Sequence, residues 1–100
     1  MSYPGTWDLT IQSPMGAKTF RLEIEAGDGG LRGAASTGGE TTPMQDLREE
    51  AGRLRWSMKM PRPMNVVLDV DVVLDGGELR GSAKAGHMPL PDVRGVRASS

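Results

Sequence analysis

Apolar and polar residues alternate along most of this chain, and the alternating runs are cut by glycine pairs and prolines. Trp7, Leu9 and Ile11 alternate with polar neighbours, as do Phe20, Leu22 and Ile24, then Leu54, Trp56, Met58 and Met60, then Val66, Leu68, Val70 and Val72. A period of two places every second side chain on one face of a strand, so each run predicts a strand with one buried face. Two further runs carry small inner rows: Leu31, Gly33 and Ala35, and Leu79, Gly81 and Ala83. Small inner residues leave either close backbone packing or open space. A last strand is expected over 92–97, with Val93, Gly95 and Arg97 inward. Breaks at Ser13-Pro-Met-Gly16, Gly27-Asp-Gly-Gly30, Pro61-Arg-Pro63 and Asp75-Gly-Gly77 supply the turns. The chain reads as all-β.

At 100 residues it is expected to be a single domain, 1–100, with room for one core and one small cavity. Its 12 basic and 13 acidic residues give a net charge of −1, and the basic residues are scattered. That is not the electrostatic footprint of a phosphate-backbone binder, so nucleic acid is not an expected partner. With no cysteine, there is no disulfide framework, thiolate metal site or thiol nucleophile. No leader pattern opens the sequence, and no apolar run approaches the roughly 18 residues of a membrane span. A soluble, cytoplasmic protein with no membrane partner is expected.

Two blocks repeat in the same order. Gly29-Gly-Leu-Arg-Gly-Ala-Ala35 matches Gly77-Glu-Leu-Arg-Gly-Ser-Ala83, and Pro43-Met-Gln-Asp-Leu-Arg48 matches Pro89-Leu-Pro-Asp-Val-Arg94. The repeat predicts two pseudo-repeated four-stranded halves, hence an eight-stranded antiparallel up-and-down β-barrel, whose closure removes exposed sheet edges. Thr42-Pro-Met-Gln45 followed by Asp-Leu-Arg-Glu-Glu-Ala51 reads alone as a capped helix over 43–51. The matching Pro89–Val96 stretch carries Pro91 and Gly95, which a helix interior does not tolerate, so a strand over 44–50 is preferred.

Gly5-Thr6-Trp7 on the first strand, together with Gly95-Val-Arg97 on the last, resembles the calycin superfamily, which includes lipocalins, fatty-acid-binding proteins and avidins. The resemblance implies an eight-stranded calycin-like barrel in which the first-strand Trp packs at the closed end beneath the last-strand Arg. Trp7 and Arg97 are then a structural pair.

His87, in the loop Ala85-Gly-His-Met-Pro89, is the one histidine and a weak candidate for proton transfer at the barrel rim. Asp69, Asp71 and Asp75 do not fit a calcium loop, because Val73 and Leu74 stand where an oxygen ligand and a glycine are needed. No metal site and no cofactor are expected. Parity with Leu47 turns Gln45 and Glu49 inward, where an apolar barrel would raise the Glu49 pKa and make it a second weak catalytic candidate. Met44, Met58, Met60, Met64 and Met88 near the wall or rim supply adaptable thioethers in a chain with four aromatics. An eight-stranded barrel either just fills its lumen or holds one small ligand.

The first expectation is therefore binding of a small hydrophobic or amphipathic molecule among Phe20, Leu22, Gln45, Trp56, Met58, Met60 and Leu68, with low selectivity and no dedicated catalysis. The alternatives are a cyclase- or isomerase-type enzyme using Glu49 or His87, and a structural domain with a filled barrel. Val67, Val73, Leu90 and Val96 are expected to face outward, where an apolar pair on neighbouring strands would mark a homodimer interface.

Overall fold

The computed structural model describes residues 3–14, 16–60 and 66–98. Nine strands follow one another: β1 (Gly5–Ser13), β2 (Gly16–Gly27), β3 (Gly30–Thr37), β4 (Glu40–Pro43), β5 (Gln45–Glu50), β6 (Arg53–Met60), β7 (Val66–Asp75), β8 (Glu78–Ala85) and β9 (Met88–Arg97). They form one antiparallel sheet in the order β4-β3-β2-β1-β9-β8-β7-β6-β5. Each strand pairs with its sequence neighbour except at two places: β1 pairs with β9, and β4 and β5 occupy the two edges. The sheet curls until β3 packs against β5 and β4 against β6. The result is an up-and-down, nearly closed barrel.

The strand count corrects the expected eight. The fourth expected strand is split: residues 40–43 pair with β3, and residues 45–50 pair with β6. Met44 stands between them, donates its backbone N–H to the Gly33 carbonyl at 2.9 Å, and is 6% exposed. One extended segment thus changes sheet edge midway, and the barrel closes through that change. No helix forms over 43–51, as the preference for a strand required. Among the described residues there is no helix long and apolar enough to cross a membrane.

The alternation turns the expected rows inward. Trp7, Leu9, Leu22, Leu54, Val72 and Leu79 are fully buried, and the opposite faces carry arginines, aspartates and glutamates. Two β-bulges override the parity. Gln45 opposes Ser57 and Arg48 opposes Arg55, so β5 carries one residue more than β6 there. Likewise Ala83 opposes Leu90 and Gly81 opposes Val93, which gives β9 an extra residue. Leu90, expected outward, is therefore turned into the core at 4% exposure. Arg48 fastens the first bulge by donating to the Asp46 carbonyl at 2.9 Å and to its carboxylate at 3.0 Å, while Asp46 holds φ at 57°.

The small inner residues serve close packing. A Cβ on Gly33 would come 2.6 Å from the Glu23 carbonyl oxygen and 3.0 Å from the Met44 sulfur. A Cβ on Gly81 would come 2.7 Å from the Val72 Cα. Backbone and side chains already fill these places, so at Gly33 and Gly81 the choice between close packing and open space falls to close packing.

Candidate functional site

At the first end of the barrel, the register places Trp7 opposite Arg97, and the Arg97 guanidinium lies 4.1 Å from the centre of the indole ring. Arg97 also donates to the Pro4 carbonyl at 2.9 Å. Gly5 explains its place in Gly-x-Trp, because the Arg97 guanidinium runs where a Cβ would stand. The Trp7 indole N–H donates to the Tyr3 carbonyl at 2.8 Å, and the Tyr3 hydroxyl reaches the Gly52 carbonyl at 3.0 Å. These contacts knit the first strand, the last strand and the β5–β6 turn across one end. Arg97 is exposed, and Trp7 is covered beneath it.

Of the residues expected to bind a ligand, Phe20, Leu22, Trp56, Met58 and Leu68 all line the interior and are at most 3% exposed. Gln45 does not join them: the bulge turns it to the outer face, opposite Ser57, where it is exposed. The Met60 side chain lies outside the described residues, as does all of Met64.

The two candidates for proton transfer are not brought together. Glu49 opposes Leu54, so its register is that of the inner face, but it is exposed one residue before the β5–β6 turn. It stands at the rim rather than in the apolar interior. His87 is exposed in the β8–β9 turn, at the other end of the barrel. Among the described residues, no group of three His, Cys, Asp or Glu side chains could hold a metal ion.

The interior is chemically uniform. Among the described residues, no polar or charged residue is buried. Of the two buried indole donors, that of Trp7 is bonded to the Tyr3 carbonyl, whereas the Trp56 N–H has no hydrogen-bond acceptor. An unpaired buried donor costs about 1–3 kcal/mol, so such groups are rare. Trp56 lies on β6, one strand in from the seam where β5 meets β3, with Val70 opposite it and Ala83 beyond. The alternation marked Trp56 as inward, but no sequence signal reports that its N–H lacks a partner.

Sequence reasoning also missed a polar groove of about 450 Å³ on the outer wall of β5–β8, lined by Arg48, Arg55, Ser57, Asp69, Asp71 and Lys84 among others. Much of its charge is internally paired. Asp71 takes Arg53 at 2.6 Å and Arg55 at 3.1 Å, Arg48 takes Glu50 at 2.8 Å, and Ser57 donates to Asp69 at 2.6 Å. The hydrogen bond to Glu50 is the main cause that holds the Arg48 pKa above its ordinary value.

Of the residues expected outward, Val73 is half-buried between Arg53 and Arg80. Leu90 is buried, while Val67 and Val96 lie toward opposite ends of the barrel, Val67 opposite Lys59 and Val96 opposite Glu78.

Compared with family profiles, with curated proteins and with solved structures, the chain matches none of them.

Proposed function

We propose that this chain is a calycin-like binding module that takes up one small, largely apolar molecule in the barrel interior among Phe20, Leu22, Trp56, Met58 and Leu68. The observation that carries this reading is the Trp56 indole N–H, a donor without an acceptor in an otherwise apolar interior. A ligand acceptor placed there would relieve the cost of the unpaired donor. The Trp7–Arg97 pair supports the calycin-like reading, because it is the contact that the resemblance implies. The proposed way in is the seam at the sheet edge formed by β5, where Met44 is buried and Leu47 packs against the core. Among the described residues the interior is lined by apolar side chains, and the reading is one of binding.

A second reading, a filled barrel with a structural role, is favoured by the close packing at Gly33 and Gly81. Titration with the neutral fluorophore N-phenyl-1-naphthylamine separates the two. Saturable enhancement at one probe per chain, displaced by a non-fluorescent ketone, is expected for the binding module. No saturable signal overturns it in favour of the filled barrel.

A further inference from the structure

Resting on the reading of the interior as a binding site, we infer that its ligand is an uncharged apolar molecule bearing a hydrogen-bond acceptor, of the ketone, aldehyde, ester or ether class, and that the Trp56 indole N–H is the group that selects it. Three observations converge. The walls on either side of Trp56 are apolar, with Val70 its cross-strand neighbour and Met58 two residues on, so the body of the ligand is hydrocarbon. One interior donor is unpaired, so one acceptor is wanted. No cation is buried among the described residues, because every arginine and lysine there lies on the outer face, at a turn or at an end.

The last point separates this ligand from a fatty acid. A carboxylate brought beside Trp56 would gain one N–H and lose its hydration, with no guanidinium or ammonium to offset the loss. A carbonyl or ether oxygen has far less hydration to lose and makes the same hydrogen bond. A plain alkane loses nothing on desolvation but leaves the indole N–H unpaired. The site therefore ranks a ketone above an alkane, and an alkane above a carboxylate, of equal chain length.

The two indoles make the test internal. Uniformly ¹⁵N-labelled protein gives indole N–H resonances for Trp7 and Trp56, assigned with Trp7→Phe and Trp56→Phe, and is titrated separately with 2-nonanone, nonane and nonanoate at neutral pH. With 2-nonanone the Trp56 resonance moves downfield, as a newly formed hydrogen bond requires, while that of Trp7, already bonded to the Tyr3 carbonyl, stays in place. The ketone binds at least about fivefold more tightly than nonane, and this preference collapses in Trp56→Phe. Nonanoate binds more weakly than either. If nonane or nonanoate binds as tightly as the ketone, or if the ketone binds without moving the Trp56 resonance, the ligand class is wrong although the interior still binds. If none of the three binds, the ligand class and the binding reading fall together.

Discussion

Trp7 and Trp56 are both buried, yet the Trp7 indole N–H is bonded to the Tyr3 carbonyl at 2.8 Å and the Trp56 N–H has no partner. Replacing each with phenylalanine removes similar volume, so the difference between the two variants isolates the indole donors. Trp7→Phe loses a made hydrogen bond and the better cation–π surface beneath Arg97, whereas Trp56→Phe loses an unpaired donor. Trp7→Phe is expected to cost about 1–3 kcal/mol more than Trp56→Phe, measured by urea denaturation without added ligand. Equal costs would mean that the two N–H groups have similar surroundings. The burial of both rings was legible in the alternation around Trp7 and Trp56, as was that of Phe20, Leu22, Met58 and Leu68. Gln45 and Leu90 were misread for one reason: a bulge adds a single residue and exchanges the faces beyond it. At 90–93 the signal was Pro91, a residue that paired strands admit chiefly at bulges, whereas the residue types at 45–48 carry no comparable mark.

The hairpins show how far glycine-rich breaks specify a strand pairing. The β7–β8 turn uses Gly76 and Gly77 at φ 62° and 84°, the left-handed pair that a two-residue hairpin with the right-handed twist requires. The β5–β6 turn needs the same geometry but places Ala51 at φ 50° before Gly52 at 78°. Alanine pays a steric cost there that asparagine largely avoids. Ala51→Asn is therefore expected to stabilise the protein by up to about 1 kcal/mol, seen as a raised denaturation midpoint with an unchanged urea slope. Across β8 and β9, Arg94 clamps Glu78 with contacts of 3.0 and 3.1 Å, and Arg80 adds a third at 3.2 Å. The hydrogen bond from Arg94 is the main cause that lowers the Glu78 pKa, and the same bond raises that of Arg94. A carboxylate whose pKa is lowered on folding contributes stability that is present above its unfolded value and lost as pH falls through its folded value. Stability measured from neutral pH down through the carboxylate range should fall in the wild type and fall less in Glu78→Gln. High salt should shrink that difference, because the clamp is largely exposed. Identical acid profiles would remove Glu78 from the account.

At the scale of the molecule, the alternation and turn spacing made an antiparallel barrel legible, but the repeated blocks predicted eight strands where nine form, and the way the barrel closes was not legible. Closure depends on Met44, where a single residue separates pairing with β3 from pairing with β6, and the residues on both sides satisfy either a strand or a capped helix on local grounds. Only the tertiary demand to cover two sheet edges decides it. Met44→Ala removes the side chain that covers the seam beside Gly33 and should cost about 2–5 kcal/mol in urea denaturation. A negligible cost would show that the seam is held elsewhere. The choice between a filled barrel and an occupied one was not legible either, since a long alternating sequence makes both from the same residues. The measurement that reaches the central claim most directly is a crystal structure of the protein with a brominated aliphatic ketone, located by the anomalous signal of its bromine. A bromine inside the barrel, with the ketone oxygen within hydrogen-bond reach of the Trp56 Nε1, is the predicted result. A bromine confined to the outer groove beside Arg55, Asp69 and Lys84, or no bound bromine at all, would contradict it.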